Sequence, residues 1–170
     1  MPNGPQRKST GGKRTSRADA TPRLRLARVP GEPATSAYAG LLGLRASTPA
    51  DLQAQVKAGV AYKAWDRFLD ATTLSSAAAA ELVQISPRTL ARRRDEGRLQ
   101  PDESDRLVRA ARVYAHAIAL FDGDRTAAGQ WLFAPQAALG NATPIEYAST
   151  EVGAREVERL ITQIEHGIIS

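Results

Sequence analysis

The stretch Ser76-Ala-Ala-Ala-Ala-Glu-Leu-Val-Gln-Ile-Ser-Pro-Arg-Thr-Leu-Ala-Arg-Arg-Arg94 decides how the rest of the chain is read. Its alanines make a slim first helix against which a partner can pack closely. Leu82, Val83 and Ile85 supply apolar side chains around a turn, and Ser86 followed by Pro87 is a start signal for a second helix. With Leu90 turned inward, Arg88, Thr89, Arg92 and Arg93 are expected on the outer face of that helix. This is the form of a helix-turn-helix, whose second helix presents side chains to base edges in the DNA major groove. Arginine pairs bidentately with guanine there. Arg94 and Arg98 are placed for phosphates, which position a protein without reading sequence. The plainer reading is a helical packing unit with a solvated arginine face. Against it, three consecutive arginines repel one another unless something anionic accepts them. One such unit reads few base pairs, so a dimer on a two-fold site is expected. Trp65 is a candidate anchor for the dimer, with ordinary core as the alternative.

Outward from this motif the pattern stays helical. Leu52, Val56, Val60, Phe68 and Leu69 predict a helix over residues 51–71. Pro101 with Asp102 and Glu103 behind it opens another, carrying Leu107, Ala110, Ala111, Tyr114, Ala117, Ile118 and Phe121 on one stripe until Gly123. A helix is predicted over 124–133, ending before Pro135. Thr143-Pro-Ile-Glu146 is a capping box opening a short one. The last runs over 150–165, with Val157, Leu160, Ile161 and Ile164 as its stripe and Gly167 as its stop. No alternating strand pattern of useful length occurs, so the predicted class is all-α.

Composition narrows the chemistry. The 170 residues contain no Cys and two His, His116 and His166, fifty positions apart. Thiolate zinc sites, Cys nucleophiles and His-centred triads are excluded or disfavoured, no metal or cofactor is expected, and the carboxylates lie scattered beside bases on helix faces. An enzyme is not expected. No apolar run reaches the roughly 18 residues of a membrane span. The net charge of +5 is concentrated: residues 1–33 hold eight bases and two acids, and the remainder is close to neutral. Residues 1–37 are rich in Pro, Gly, Ser, Thr and Arg without apolar periodicity, and are expected to be a disordered basic tail. Such a tail suits loose contact with DNA phosphates, plain solubilisation, or an organellar address.

A set of separated motifs resembles the antitoxins of the Xre/MbcA/ParS type. It begins with Thr89-Leu-Ala-Arg-Arg-Arg-Asp-Glu-Gly-Arg-Leu99 and Glu103-Ser-Asp-Arg106. It continues through Ala128-Gly-Gln-Trp-Leu-Phe-Ala-Pro135, Ala138-Leu-Gly140, Thr143-Pro-Ile-Glu146, Thr150-Glu-Val-Gly153 and Val157-Glu-Arg-Leu160 to Ile164-Glu-His-Gly-Ile-Ile-Ser170. The resemblance covers about residues 55–170. It implies a bacterial, cytoplasmic partner of a type II toxin–antitoxin system: a helix-turn-helix DNA-binding and dimerisation domain over 50–121 and a toxin-binding domain over 122–170. It further implies an NAD⁺-consuming RES-domain toxin, obstructed by the antitoxin's last residues, and repression of the pair's own operon. A homodimer within a toxin–antitoxin hetero-oligomer follows from the same likeness. The chain departs from the family pattern at Gln136, where Asn is common, and at Asn141, where a second Gly is common.

At the C-terminal end the residues alone leave partner contact and self-packing equally open, and the resemblance tips the reading to the partner. Trp131, Leu132 and Phe133 form an apolar cluster on a small module, with Trp131 either core or toxin contact. Ile168 and Ile169, released beyond Gly167, suit burial in a partner's cleft, while Glu165, His166 and the Ser170 terminus can meet a cationic pocket. The alternatives are a helix end folded back on its own domain, and a stand-alone transcription regulator whose last helices sense or oligomerise.

Overall fold

The computed structural model describes residues 34–72 and 74–167. Within them the chain forms α1 (Thr35–Leu41), α2 (Pro49–Ala58), α3 (Lys63–Thr72), α4 (Ser76–Val83), α5 (Pro87–Glu96), α6 (Pro101–Leu120), α7 (Arg125–Leu132), a 3₁₀ turn (Ala137–Leu139), α8 (Pro144–Tyr147) and α9 (Glu151–Glu165). The described residues contain no β-strand beyond one isolated bridge between Ala61 and Arg98, and none of their helices is long and apolar enough to cross a membrane. The all-α class stands.

Local signals set most boundaries. Thr48 and Asp51 form a capping box at the start of α2, as Thr143 and Glu146 do for α8. Ser75, Ser86 and Thr150 each accept a backbone N–H from the first turn of α4, α5 and α9, and Asp124 accepts two at the start of α7. Gly97 ends α5 in the left-handed region at φ +71°.

Two expectations are corrected. Residues 35–37 of the anticipated disordered tail belong to α1, whose Ala39 is buried and whose Tyr38 and Leu41 pack on the core; residues 1–33 lie outside the described part. The short α1 hides in sequence between Pro- and Gly-rich flanks. The single helix expected over 51–71 is two, α2 and α3, broken at Gly59 (φ +78°). There the chain runs beside residues 97–99: the Leu99 N–H donates to the Val60 carbonyl and the Tyr62 N–H to that of Gly97, each at 2.9 Å. A Cβ on Gly59 would overlap the Leu99 carbonyl oxygen, so the close backbone approach requires glycine.

Helix α6 is the axis of the fold. Leu107, Ala110, Ala111, Val113, Tyr114 and Ala117 are buried along it, and α1, α2, α3, α4, α7 and α9 all pack on it. One continuous apolar core therefore runs from Leu42 through Trp65, Phe68 and Val83 to Leu132, Val157 and Ile161. Trp65 is fully buried in it, which settles that side chain as core.

His116, near the C-terminal end of α6, is also buried, with no hydrogen-bond partner for its Nε2. Burial, aided by the nearby Arg112 charge, lowers its pKa from 6.5 to about 4. Between those values the unfolded chain binds a proton that the folded chain refuses. The stability of the fold is thus undiminished by this group above about pH 6.5 and falls as the pH drops towards 4. At pH 5 the loss is about 2 kcal/mol. Urea unfolding at pH 7.5 and pH 5 should show it, and His116→Leu should flatten the difference by about that amount. An unchanged pH dependence in the variant would exclude His116 as its source.

Candidate functional site

Helix α5 is held by both ends. At its start the Ser86 hydroxyl lies 2.9 Å from that of Thr89 and accepts the Thr89 N–H, so Thr89 is half-buried and engaged in its own cap. The preceding turn passes through Gln84 in the left-handed region (φ 54°), a conformation costing a non-glycine residue about 1 kcal/mol. Arg106 of α6 donates to the Val83 carbonyl at 2.8 Å, satisfying the C-terminal end of α4.

The five anticipated DNA contacts separate by environment. Arg88 and Arg92, one turn apart, are exposed together, with Arg92 making only a loose 3.7 Å approach to Glu96. Arg94 is exposed but lies over the ring of buried Tyr62, 5.5 Å from its centroid, a cation–π contact that fixes its direction. Arg93 is the correction: it is 7% exposed and points inward rather than outward. Its Nε donates to both Glu103 oxygens at 2.7 and 3.0 Å, and its Nη1 donates to Glu96 at 2.6 Å. Glu103, 4% exposed, also accepts the Gln100 N–H at 2.8 Å and so caps α6. Burial raises the Glu103 pKa, but the Arg93 and Gln100 hydrogen bonds outweigh it and hold the carboxyl below its usual range. Its hydrogen bonds to Glu103 and Glu96 raise Arg93 above the usual arginine value. The physical reason is register. Arg93 lies three residues beyond Leu90, hence on the buried stripe of α5, and the acid needed to neutralise it comes from the next helix. Arg98 likewise turns back, donating to the Ala58 carbonyl at 2.9 Å.

The C-terminal module is clamped to α6 by charge as well as by its apolar stripe. Arg112 donates to Glu158 at 2.6 Å and to Glu151 at 3.1 Å, and Arg109 donates to the Ser149 carbonyl at 3.2 Å. Burial pushes the Glu158 pKa up despite Arg112. Gly153 packs so closely that a Cβ would overlap the Tyr147 carbonyl oxygen. In the 131–133 cluster Leu132 is fully buried and Trp131 is half-buried against Phe121, with ring centroids 6.5 Å apart. Phe133 is the exposed member, at 45%. The signal was available: Ala128 and Leu132 one turn apart define the inward face of α7, leaving residue 133 outside. Tyr147 (40%) and Val152 (76%) are also exposed, and these three are the large apolar side chains left open among the described residues. Asn141 occupies the left-handed region (φ 65°) beside Gly140, a conformation asparagine tolerates better than most residues. Helix α9 ends at the exposed Glu165, with His166 as its C-cap and Gly167 at φ +64° releasing the chain. The anticipated contacts Ile168, Ile169 and Ser170 lie outside the described residues.

Two family models match the chain: the antitoxin Xre-like helix-turn-helix domain over residues 51–112, and the antitoxin Xre/MbcA/ParS C-terminal toxin-binding domain over residues 116–167. Among curated proteins, an antitoxin Xre of Photorhabdus laumondii is 35% identical over 130 residues, covering 76% of this chain and 88% of the relative. One of Yersinia enterocolitica is 36% identical over the same shares. One of Pseudomonas putida is 41% identical over 90 residues, 51% of this chain and 55% of the relative.

The burial of Arg93 gives a direct check. Arg93→Ala strands the Glu103 carboxylate and should cost about 3–5 kcal/mol in urea unfolding. Arg88→Ala, on the exposed face, should stay within about 0.5 kcal/mol. Equal stability of the two variants would return Arg93 to the surface.

Proposed function

The chain belongs to the Xre family of antitoxins, and from that premise we propose that it binds and neutralises a RES-domain toxin that consumes NAD⁺, and represses its own operon. The observation that carries this reading is the placement of two unspent recognition features at separate parts of one continuous core. The exposed pair Arg88 and Arg92 stands on the second helix of the helix-turn-helix. At the other site, α9 presents Glu165 and His166 in solvent and Gly167 releases the chain.

In this mechanism the DNA-facing work falls to Arg88 and Arg92, with Arg94 directed at phosphates by Tyr62 and Thr89 at the helix start. A homodimer brings two such helices to a two-fold operator. The C-terminal module grips the toxin, and residues 165–170 enter its active-site mouth. Burying Ile168 and Ile169 there gives about 1.5–3 kcal/mol each before ordering costs. The Glu165 and terminal carboxylates oppose the cationic groups that a dinucleotide-binding pocket needs for phosphates. The protein itself carries out no chemical step; it excludes substrate.

Two measurements test the two ends separately. Arg92→Ala should weaken binding to DNA from the chain's own promoter by about 1–3 kcal/mol, roughly ten- to a hundredfold. Unchanged affinity would remove Arg92 from the base contacts. Deleting residues 168–170 should leave promoter binding and thermal stability intact while NAD⁺ consumption resumes in cells co-expressing the toxin encoded beside this gene. Full protection by the truncated chain would place neutralisation elsewhere.

A further inference from the structure

A groove of about 440 Å³ opens between α4 of the helix-turn-helix and the α7–α8 region of the C-terminal module. Leu82, Phe133 and Ile145 make its apolar walls, and the carboxylates of Glu81 and Glu146 lie among its polar lining residues, which include no lysine or arginine. We infer that this groove is a second toxin contact, taking a segment of the toxin in which an apolar side chain stands beside a lysine or arginine. The inference rests on the antitoxin reading above and extends it to the helix-turn-helix.

Three observations choose this occupant. The walls Phe133, Ile145 and Glu146 lie within the stretch that matches the toxin-binding domain, so the groove continues a surface that serves a protein partner. The three large apolar side chains left open among the described residues, Phe133, Tyr147 and Val152, all fall within twenty residues of that same stretch. Phosphates would meet two carboxylates and no base, which excludes DNA from the groove and calls for a cation beside the apolar anchor. Glu146 is already held by the Thr143 N–H and hydroxyl, at 3.1 and 2.7 Å, so it presents a fixed charge. Its size suits one or two side chains of a partner rather than a flat contact.

Helix α4 then serves two neighbours from two flanks. Ala78 and Leu82 line the toxin groove, whereas Ala77 and Ala80 line the separate cleft against Pro87, Leu90 and Arg94 of α5.

The test uses the full chain with Phe133→p-benzoylphenylalanine, co-expressed with the toxin encoded beside the gene and irradiated as the purified complex. The expected product is a cross-link to a toxin peptide bearing Lys or Arg next to an apolar residue. In parallel, Glu81→Arg, on an exposed position of α4, should weaken toxin binding by about tenfold in calorimetry with an unchanged melting temperature. Cross-links confined to residues 1–33, to a second copy of this chain or to promoter DNA would overturn the inference. Wild-type affinity in Glu81→Arg would do the same. Both results leave the antitoxin reading standing as long as the wild-type complex forms; a wild-type chain that binds no toxin removes the reading and the inference together.

Discussion

The fold depends on α6 being able to hold charge at two levels beside an otherwise apolar stripe. Near its start Glu103 neutralises Arg93 and caps the helix; two turns on, Arg112 gathers Glu158 and Glu151 from α9. Along the same helix the small side chains Ala110, Ala111 and Ala117 let neighbouring helices approach, and Leu107 and Tyr114 fill the space around them. Buried ion pairs of this kind add little net stability compared with apolar packing, because desolvation opposes them. Their effect here is on register: a one-residue rotation of α5 or α9 would strand a carboxylate or guanidinium in the core. The arginine helix is thereby fixed in direction.

Much of this architecture is legible in the sequence because the signals are local. Ser86-Pro87, Pro101 with Glu103, and Thr143-Pro-Ile-Glu146 state where helices start through hydrogen bonds spanning three residues, and the stripes of α6 and α9 state which face is buried. What the sequence conceals is set at long range. The break at Gly59 exists because residues 97–99 come alongside, some forty positions later. The pattern of 51–71 reads as one helix because its apolar residues happen to keep a helical period across the break. Helix α1 is similarly invisible, since its seven residues gain stability from packing on α6 rather than from propensity.

The recognition surfaces were partly legible for the same reason. Arginine spacing placed Arg88 and Arg92 on one exposed face, but it could not distinguish Arg93, whose burial depends on Glu103 on another helix. A run of three arginines looks like one feature in sequence and is three in space: Arg92 in solvent, Arg93 in a buried ion pair, Arg94 on the ring of Tyr62. The repulsion that argued for an external anion is relieved within the chain, so the run itself is weaker support for DNA than its length suggests. What remains is the narrower and more specific pair Arg88 and Arg92. In the C-terminal module the phase of α7, more than the apolar content of 131–133, decides that Phe133 is the side chain left exposed.

A continuous core has a further consequence for a chain whose two domains share it. The matches to the two domain models meet inside α6, so no linker separates the helix-turn-helix from the toxin-binding domain. Domains joined by flexible chain open independently, whereas elements that share buried side chains open together. Leu107, Tyr114 and Val157 therefore support both ends, and loosening either half loosens the other. Among the side chains proposed for recognition, Arg88, Arg92, Glu81, Phe133 and Glu165 are exposed and lie off this core, whereas Leu82 and Ile145 of the groove belong to it. The exposed ones can be replaced without disturbing the packing that positions them. The proposed contacts to an operator and to a toxin are free to change at the surface, while the ion pairs along α6 keep the geometry in which those side chains are presented.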